Sequence, residues 1–127
     1  MNIIIVGCGK VGSNLTELLI NEDHNITVID TREKKVAHLT ENFDVMGYVG
    51  NGASIDTLTE ANIQETDILI AVTGSDETNL LMCLMAKKAA RCHTIARVRN
   101  PMYNREIDFI KAQMGISMII NPELAAA

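Results

Sequence analysis

The chain is 127 residues long, a single-domain length that buries about two-thirds of the surface its unfolded form exposes and so needs no disulfide or metal staple. Hydrophobic residues make up 47% and charged residues 21%, too apolar for disorder, and the longest apolar run, residues 80–86, falls far short of the roughly 20 residues a membrane span needs. A net charge of −5 argues against general nucleic-acid binding and against a polybasic membrane-surface patch.

Residues 2–6 form a β-branched run without helical period, a buried strand. Residues 10–21 follow as a helix, with Val11, Leu15, Leu18 and Leu19 on one face. A second strand covers 26–30, and a second helix covers 33–42 with Val36 and Leu39 in phase. A short third strand is expected at 45–49. A helix at 54–61 opens on the capping-type Ser54. A fourth strand spans 67–72, a long helix 76–90 and a fifth strand 94–98. A single helix is predicted over 102–114, with Tyr103, Ile107, Ile110 and Met114 in phase and Gly115 as its cap glycine. A sixth strand covers 117–120.

Apolar strands alternating with helices predict an α/β fold with a parallel sheet covered on both faces. The expected architecture is a Rossmann doubly wound six-stranded sheet of order 3-2-1-4-5-6, occupying 1–122. Residues 123–127 read as the opening of a helix that does not develop, the start of a truncated linker. The N-terminus has no basic stretch of the signal-peptide kind. Cys8, Cys83 and Cys92 accordingly read as reduced thiols of a cytosolic protein.

The strongest motif is Gly7-Cys8-Gly9-Lys10-Val11-Gly12, set between a predicted strand and a predicted helix. Gly7 permits the tight turn, Gly9 lets a pyrophosphate approach the backbone, and Gly12 lets helix and strand pack closely. The helix N-terminus offers free N–H groups to phosphates. Asp30 ends the second strand at the offset of a ribose-binding acid. It favours NAD(H) or an adenine nucleotide over NADP. Arg32, which could receive a 2′-phosphate, reads more simply as a solvated charge at a helix start.

Thr73-Gly74-Ser75-Asp76 follows strand four at the ligand end of such sheets. Gly74 would relieve the backbone, Thr73 could donate its hydroxyl, and Ser75 or Asp76 could cap the helix. Arg97 and Arg99 share one sheet face, where a cation could reach phosphates or make surface salt bridges. Lys10 lies in the loop as a phosphate neighbour. The helix 79–90 carries apolar residues on every face, which predicts a subunit interface, the plainer alternative being burial within the chain. No catalytic constellation is visible: His24, His38 and His93 are scattered, and Cys8 is a nucleophile by position only.

Taken together, the chain resembles the TrkA / KTN / RCK family, the cytosolic regulators of potassium uptake systems and channels. The marks are IIIVGCGKVGSNL, the VID ending in Asp30, YVGNGAS, AVTGSDETNLLMCLMAKK, ARVRNP and GISMIINPE. The resemblance implies NAD(H) or ATP/ADP binding without turnover. It places contacts on Gly7 through Val11, closed by Gly12, and on Asp30, Asn51, Thr73, Gly74 and Arg97. It also implies pairing of lobes within a ring, and docking on a membrane potassium-translocating subunit from the cytoplasmic side. Asn51 stands where the family commonly has Asp, and Lys10 where Arg is common. Two other readings are the cofactor half of an NAD-dependent oxidoreductase and an adenosyl-methionine-dependent methyltransferase. The absence of an acid/base group argues against the first, and the close glycine spacing against the second.

Overall fold

The computed structural model describes residues 1–121. The elements run β1 (Asn2–Val6), α1 (Lys10–Ile20), β2 (Asn25–Asp30), α2 (Glu33–Asn42), β3 (Met46–Val49) and α3 (Ile55–Glu60). They continue with β4 (Ile68–Ala71), α4 (Asp76–Ala89), β5 (His93–Arg97), α5 (Pro101–Asn104), α6 (Ile107–Met114) and β6 (Met118–Ile120). A 3-10 turn, Ile63–Glu65, precedes β4. The helix opening expected at 123–127 lies outside the described residues.

The six strands are parallel and ordered β3-β2-β1-β4-β5-β6, the Rossmann order that the sequence predicts. Successive side chains of a strand point to opposite faces, so the apolar runs feed two cores at once. Ile3 and Ile5 of β1, Val28 of β2 and Ile70 of β4 pack against Val36 and Leu39 of α2, with Val11 and Leu15 of α1 beside them. Ile4 and Val6, with Leu69 and Ala71, face the other way onto Leu58 of α3 and Leu80, Cys83 and Ala86 of α4. The strand order reverses between β1 and β4, and ligands of such sheets sit outside the carboxyl ends at that crevice.

The segment predicted as one helix is two. Asn100 caps α5 by accepting from the Met102 N–H at 2.9 Å. The chain then leaves helical geometry at Glu106 (φ −112°, ψ 22°) before α6 begins. The Glu106 N–H bonds the Tyr103 carbonyl at 3.0 Å, a tightened final turn. Tyr103, Ile110 and Met114 still face one core, so the break left the apolar period intact. Gly115 does adopt the left-handed conformation of a cap glycine, φ +67°.

Helix α4 is less enclosed than an all-round apolar surface suggests. Leu80, Met82, Cys83 and Ala86 are buried by the sheet and neighbouring helices of the same chain. Leu81 and Leu84, by contrast, are 47% and 39% exposed. None of the described helices is long and apolar enough to cross a membrane.

Close packing of α1 on β1 depends on Gly12, where a Cβ would overlap the Gly7 carbonyl oxygen and carbon. Backbone atoms of a tight turn cannot move aside as a flexible side chain can. We therefore expect Gly12→Ala to cost about 3 kcal/mol, at the upper end of overpacking effects, measured as a fall in urea midpoint at constant slope.

Candidate functional site

A cleft of about 980 Å³ opens at the carboxyl ends of the strands where their order reverses. Gly7, Gly9, Lys10 and Val11 form one side of it. Asp30 and Asn51 close one end, and Thr73, Gly74 and Arg97 form the opposite side. The fold thus gathers loops that follow four different strands. Cys8 and Gly12, also singled out by the sequence, lie behind this surface and do not line it.

The glycine loop is built for close approach. Gly7 sits at φ +110°, and a Cβ there would come 2.9 Å from the Val72 carbonyl carbon. Gly9 is the N-cap of α1 and supplies no side-chain acceptor, and the first turn of α1 carries no acidic residue. The N–H groups at this end therefore face the cleft without an anion of the helix's own, the arrangement that suits a phosphate. Among the described residues and apart from its chain neighbours and its own helix's backbone, a Cβ on Gly9 would meet within 4 Å only the Arg32 Nη2, at 3.9 Å. The space above Gly9 is otherwise open.

Cys8 turns its side chain inward, with Sγ 3.8 Å from the Ile29 carbonyl oxygen. Burial, and then the Asp30 charge, push its thiol up to about 12. A buried thiol so shifted favours the protonated form, a poor nucleophile. What Cys8 contributes is its backbone N–H, which donates to Asp30 Oδ2 at 2.8 Å.

Asp30 is 7% exposed and makes a denser set of bonds than the sequence suggests. Its Oδ1 accepts from the Arg32 backbone N–H at 2.8 Å and from Arg32 Nε at 2.9 Å. Its Oδ2 accepts from Arg32 Nη2 at 2.9 Å as well as from Cys8. Arg32 is thus not the free helix-start charge expected, but one half of a bidentate pair. Burial works to raise the Asp30 pKa, and the Arg32 side chain with the two backbone N–H groups overcomes it, holding the carboxyl at about 2.

The opposite side is organised by Asn79, a fully buried residue that sequence reasoning assigned only to an interface helix. Its Oδ1 accepts from the Thr73 N–H at 2.9 Å and from the Thr73 hydroxyl at 2.7 Å. Its Nδ2 donates to the carbonyls of Thr73 (3.1 Å) and Arg97 (2.9 Å). The hydroxyl that Thr73 offers a ligand on paper is therefore engaged within the loop. Arg97 is buried rather than on the surface, with Nη1 donating to the Thr73 carbonyl at 3.2 Å. Arg99 reaches the same loop through Nη2, 2.9 Å from the Gly74 carbonyl. Ser75 caps α4 by accepting from the Thr78 N–H at 3.2 Å. Asp76 instead accepts from the N–H groups of Arg99 and Asn100, which pins the loop after β5.

Gly74 departs from its expected role. Its φ is outside the left-handed region, and a Cβ there would meet nothing within 4 Å, so it relieves no strain. The residues that sequence reasoning passed over at the cleft include Gly50, Gly52, Thr78 and Met82. For Gly50 and Gly52 a signal existed: they flank Asn51 in the loop after β3, at the ligand end of the sheet. Among the described residues, no group of three His, Cys, Asp or Glu could hold a metal.

Fold and cleft together define a Rossmann-type domain whose glycine turn and strand-end acid face one crevice. The chain belongs to the TrkA-N domain family, whose model matches residues 3–122. It is 41% identical over its whole length to a Trk system potassium uptake protein TrkA homolog of Methanothermobacter thermautotrophicus, of which it spans 57%. The TrkA-N domain of the inner membrane protein ybaL from Escherichia coli superposes with a TM-score of 0.85 at 25% identity, over 98% of this chain and 90% of that one. The GsuK channel, solved with NAD and also with ADP, shares the fold at a TM-score of 0.79 and 20% identity, over 94% of this chain. The chain covers 21% of the NAD-bound and 31% of the ADP-bound chain.

Because the folded Asp30 pKa lies below its ordinary 3.8, the site's contribution to stability is present above that value and fades as pH falls towards 2. Water reaches the Arg32 guanidinium, so we expect about 1–2 kcal/mol, less than full burial of the pair would give. Urea unfolding should show wild type ahead of Asp30→Asn by that amount at pH 6, with the gap narrowing by pH 2.

Proposed function

We propose that this chain is the nucleotide-sensing lobe of a cytoplasmic regulator of potassium uptake. It binds NAD(H), with ATP and ADP as the competing adenine nucleotides, and does not consume them. The observation that carries this reading is the convergence on one crevice of the glycine turn, the uncapped start of α1 and the buried Asp30. The NAD- and ADP-bound forms of GsuK support the ligand class, and the name of the Methanothermobacter relative supports the transport system.

In this reading the pyrophosphate lies over Gly7 and Gly9 against the start of α1, with Lys10 as a point charge beside it. Asp30 receives the adenosine ribose, and Asn51 borders that end. Arg97, held by Thr73, faces the phosphates from the opposite side. The partner is a membrane potassium-translocating subunit at the inner face of the membrane. The ligand changes ion flux only by binding one arrangement of the assembly better than another.

Calorimetry with NADH, NAD, NADPH, ATP and ADP tests the ligand claim. We expect binding of at least one adenine nucleotide without its consumption, and at least a tenfold loss in Asp30→Ala, because charge-assisted hydrogen bonds of about 1.5–3 kcal/mol disappear. A folded protein that binds none of the five removes the claim.

We further assign α4 to a contact between copies of this lobe, through Leu81 and Leu84, which lie one turn apart and exposed. Leu81→Glu should shift sedimentation towards the monomer without lowering the melting temperature. An unchanged assembly would move the interface elsewhere.

A further inference from the structure

The bonds around Asp30 pose a problem for a ribose. A carboxylate offers about four acceptor positions, and four N–H groups already use them. A ribose diol cannot add its two hydroxyls to a saturated carboxylate; it must displace donors. Two of the four donors are the backbone N–H groups of Cys8 and Arg32, fixed by the turn after β1 and by the entry to α2. The other two belong to the Arg32 guanidinium, whose side chain is 56% exposed. That guanidinium also reaches over the space above Gly9, its Nη2 lying 3.9 Å from a Cβ built there. One guanidinium thus reaches both Asp30 and the space above Gly9.

We propose that Arg32 is an internal occupant of the ribose seat and decides which adenosine ribose the cleft accepts. The proposal rests on the nucleotide reading above and sharpens it. A 2′,3′-diol binds by expelling the guanidinium from Asp30 and replacing its two N–H donors with two hydroxyl donors. A 2′-phosphate binds differently. The guanidinium has five N–H donors and uses two on Asp30, so its outer edge is left to receive a phosphate while the pair stays closed. The paired guanidinium also neutralises the carboxylate that would otherwise repel that phosphate. Asp30 alone predicts rejection of NADP(H); Asp30 with Arg32 in place does not.

NADH and NADPH differ only in the 2′-phosphate, so the pair isolates this position. Their dissociation constants are measured by calorimetry on wild type, Arg32→Ala and Arg32→Lys, with thermal unfolding as the check on folding. Wild type is expected to bind both. Arg32→Ala should bind NADH about three- to tenfold more tightly, because an exposed ion pair no longer has to open, and NADPH at least tenfold more weakly. Arg32→Lys keeps the charge but not the fork, and should fall between the two for NADPH.

An Arg32→Ala protein with unchanged or weaker NADH binding overturns the proposal, and so does a wild type that binds NADH but not NADPH. In both cases the cleft remains a nucleotide site. A folded wild type and folded variants that bind neither ligand overturn the proposal, and the nucleotide reading falls with it when NAD, ATP and ADP also fail to bind.

Discussion

The arrangement of the cleft depends on one missing methyl group. Gly12 sits on the first turn of α1 where any Cβ would overlap the Gly7 carbonyl. Its absence lets α1 lie close on β1 and aims the start of the helix into the crevice between β1 and β4. The same close packing holds Gly7 in the left-handed region and turns the Cys8 N–H towards Asp30, 2.8 Å away. A strand end, a helix start and a carboxylate from the neighbouring strand are thereby fixed relative to one another. None of these positions could be kept if α1 stood off by the width of a side chain.

The two sides of the cleft are held by bonds of different strength. Asn79 is buried and uses its amide in four hydrogen bonds, so any movement of Thr73 or Arg97 leaves buried polar groups unpaired, at about 1–3 kcal/mol each. Thr73 and Arg97 are thereby tied to α4 through Asn79. On the other side the backbone donors to Asp30 are equally fixed, but the Arg32 fork faces water. Exposed ion pairs are worth about 0–1 kcal/mol, a small fraction of what a bound nucleotide supplies. The Arg32 fork is thus easier to open than the Asn79 network is to break.

This contrast also explains what could be read from the sequence. Strand order, strand bounds and the glycine turn follow from apolar runs, helical period and motif spacing, which are properties of residue type along the chain. Asp30 was legible because the end of β2 is a fixed place in the fold. The pairing of Arg32 with it was not, since two residues apart on a chain face the same way only if the backbone between them turns as it does here. Asn79 was hidden for a related reason: within an apolar helix a lone Asn reads as surface, and its partners come from the ends of two strands. The break between α5 and α6 has no Pro or Gly to mark it, and its inward residues keep their period. Gly74 was identified as part of the cleft for a reason the structure does not support, since its backbone needs no relief.

Under the proposed function, a ligand state must be felt outside the cleft, and the position of α4 bears on how. Thr78 and Met82 line the cleft, and the Met82 methyl lies 3.3 Å from where a Cβ on Gly52 would stand, so that side of the helix is in close contact with the loop after β3. Leu81 and Leu84 emerge from the same helix into solvent. A helix moves as a unit when its backbone bonds are kept, so a ligand that pressed on Met82 would also displace Leu81. Tight binding does not by itself exert that pressure. A ligand that fits the cleft equally well for both positions of α4 leaves their ratio unchanged, however firmly Asp30 holds it. Under the proposed function the coupling depends on the part of the ligand that touches the Met82 side, while the proposal for Arg32 puts the choice of ribose at the Asp30 side. The proposed function thus assigns different work to the two ends of one nucleotide, one at each of two differently built sides of the cleft.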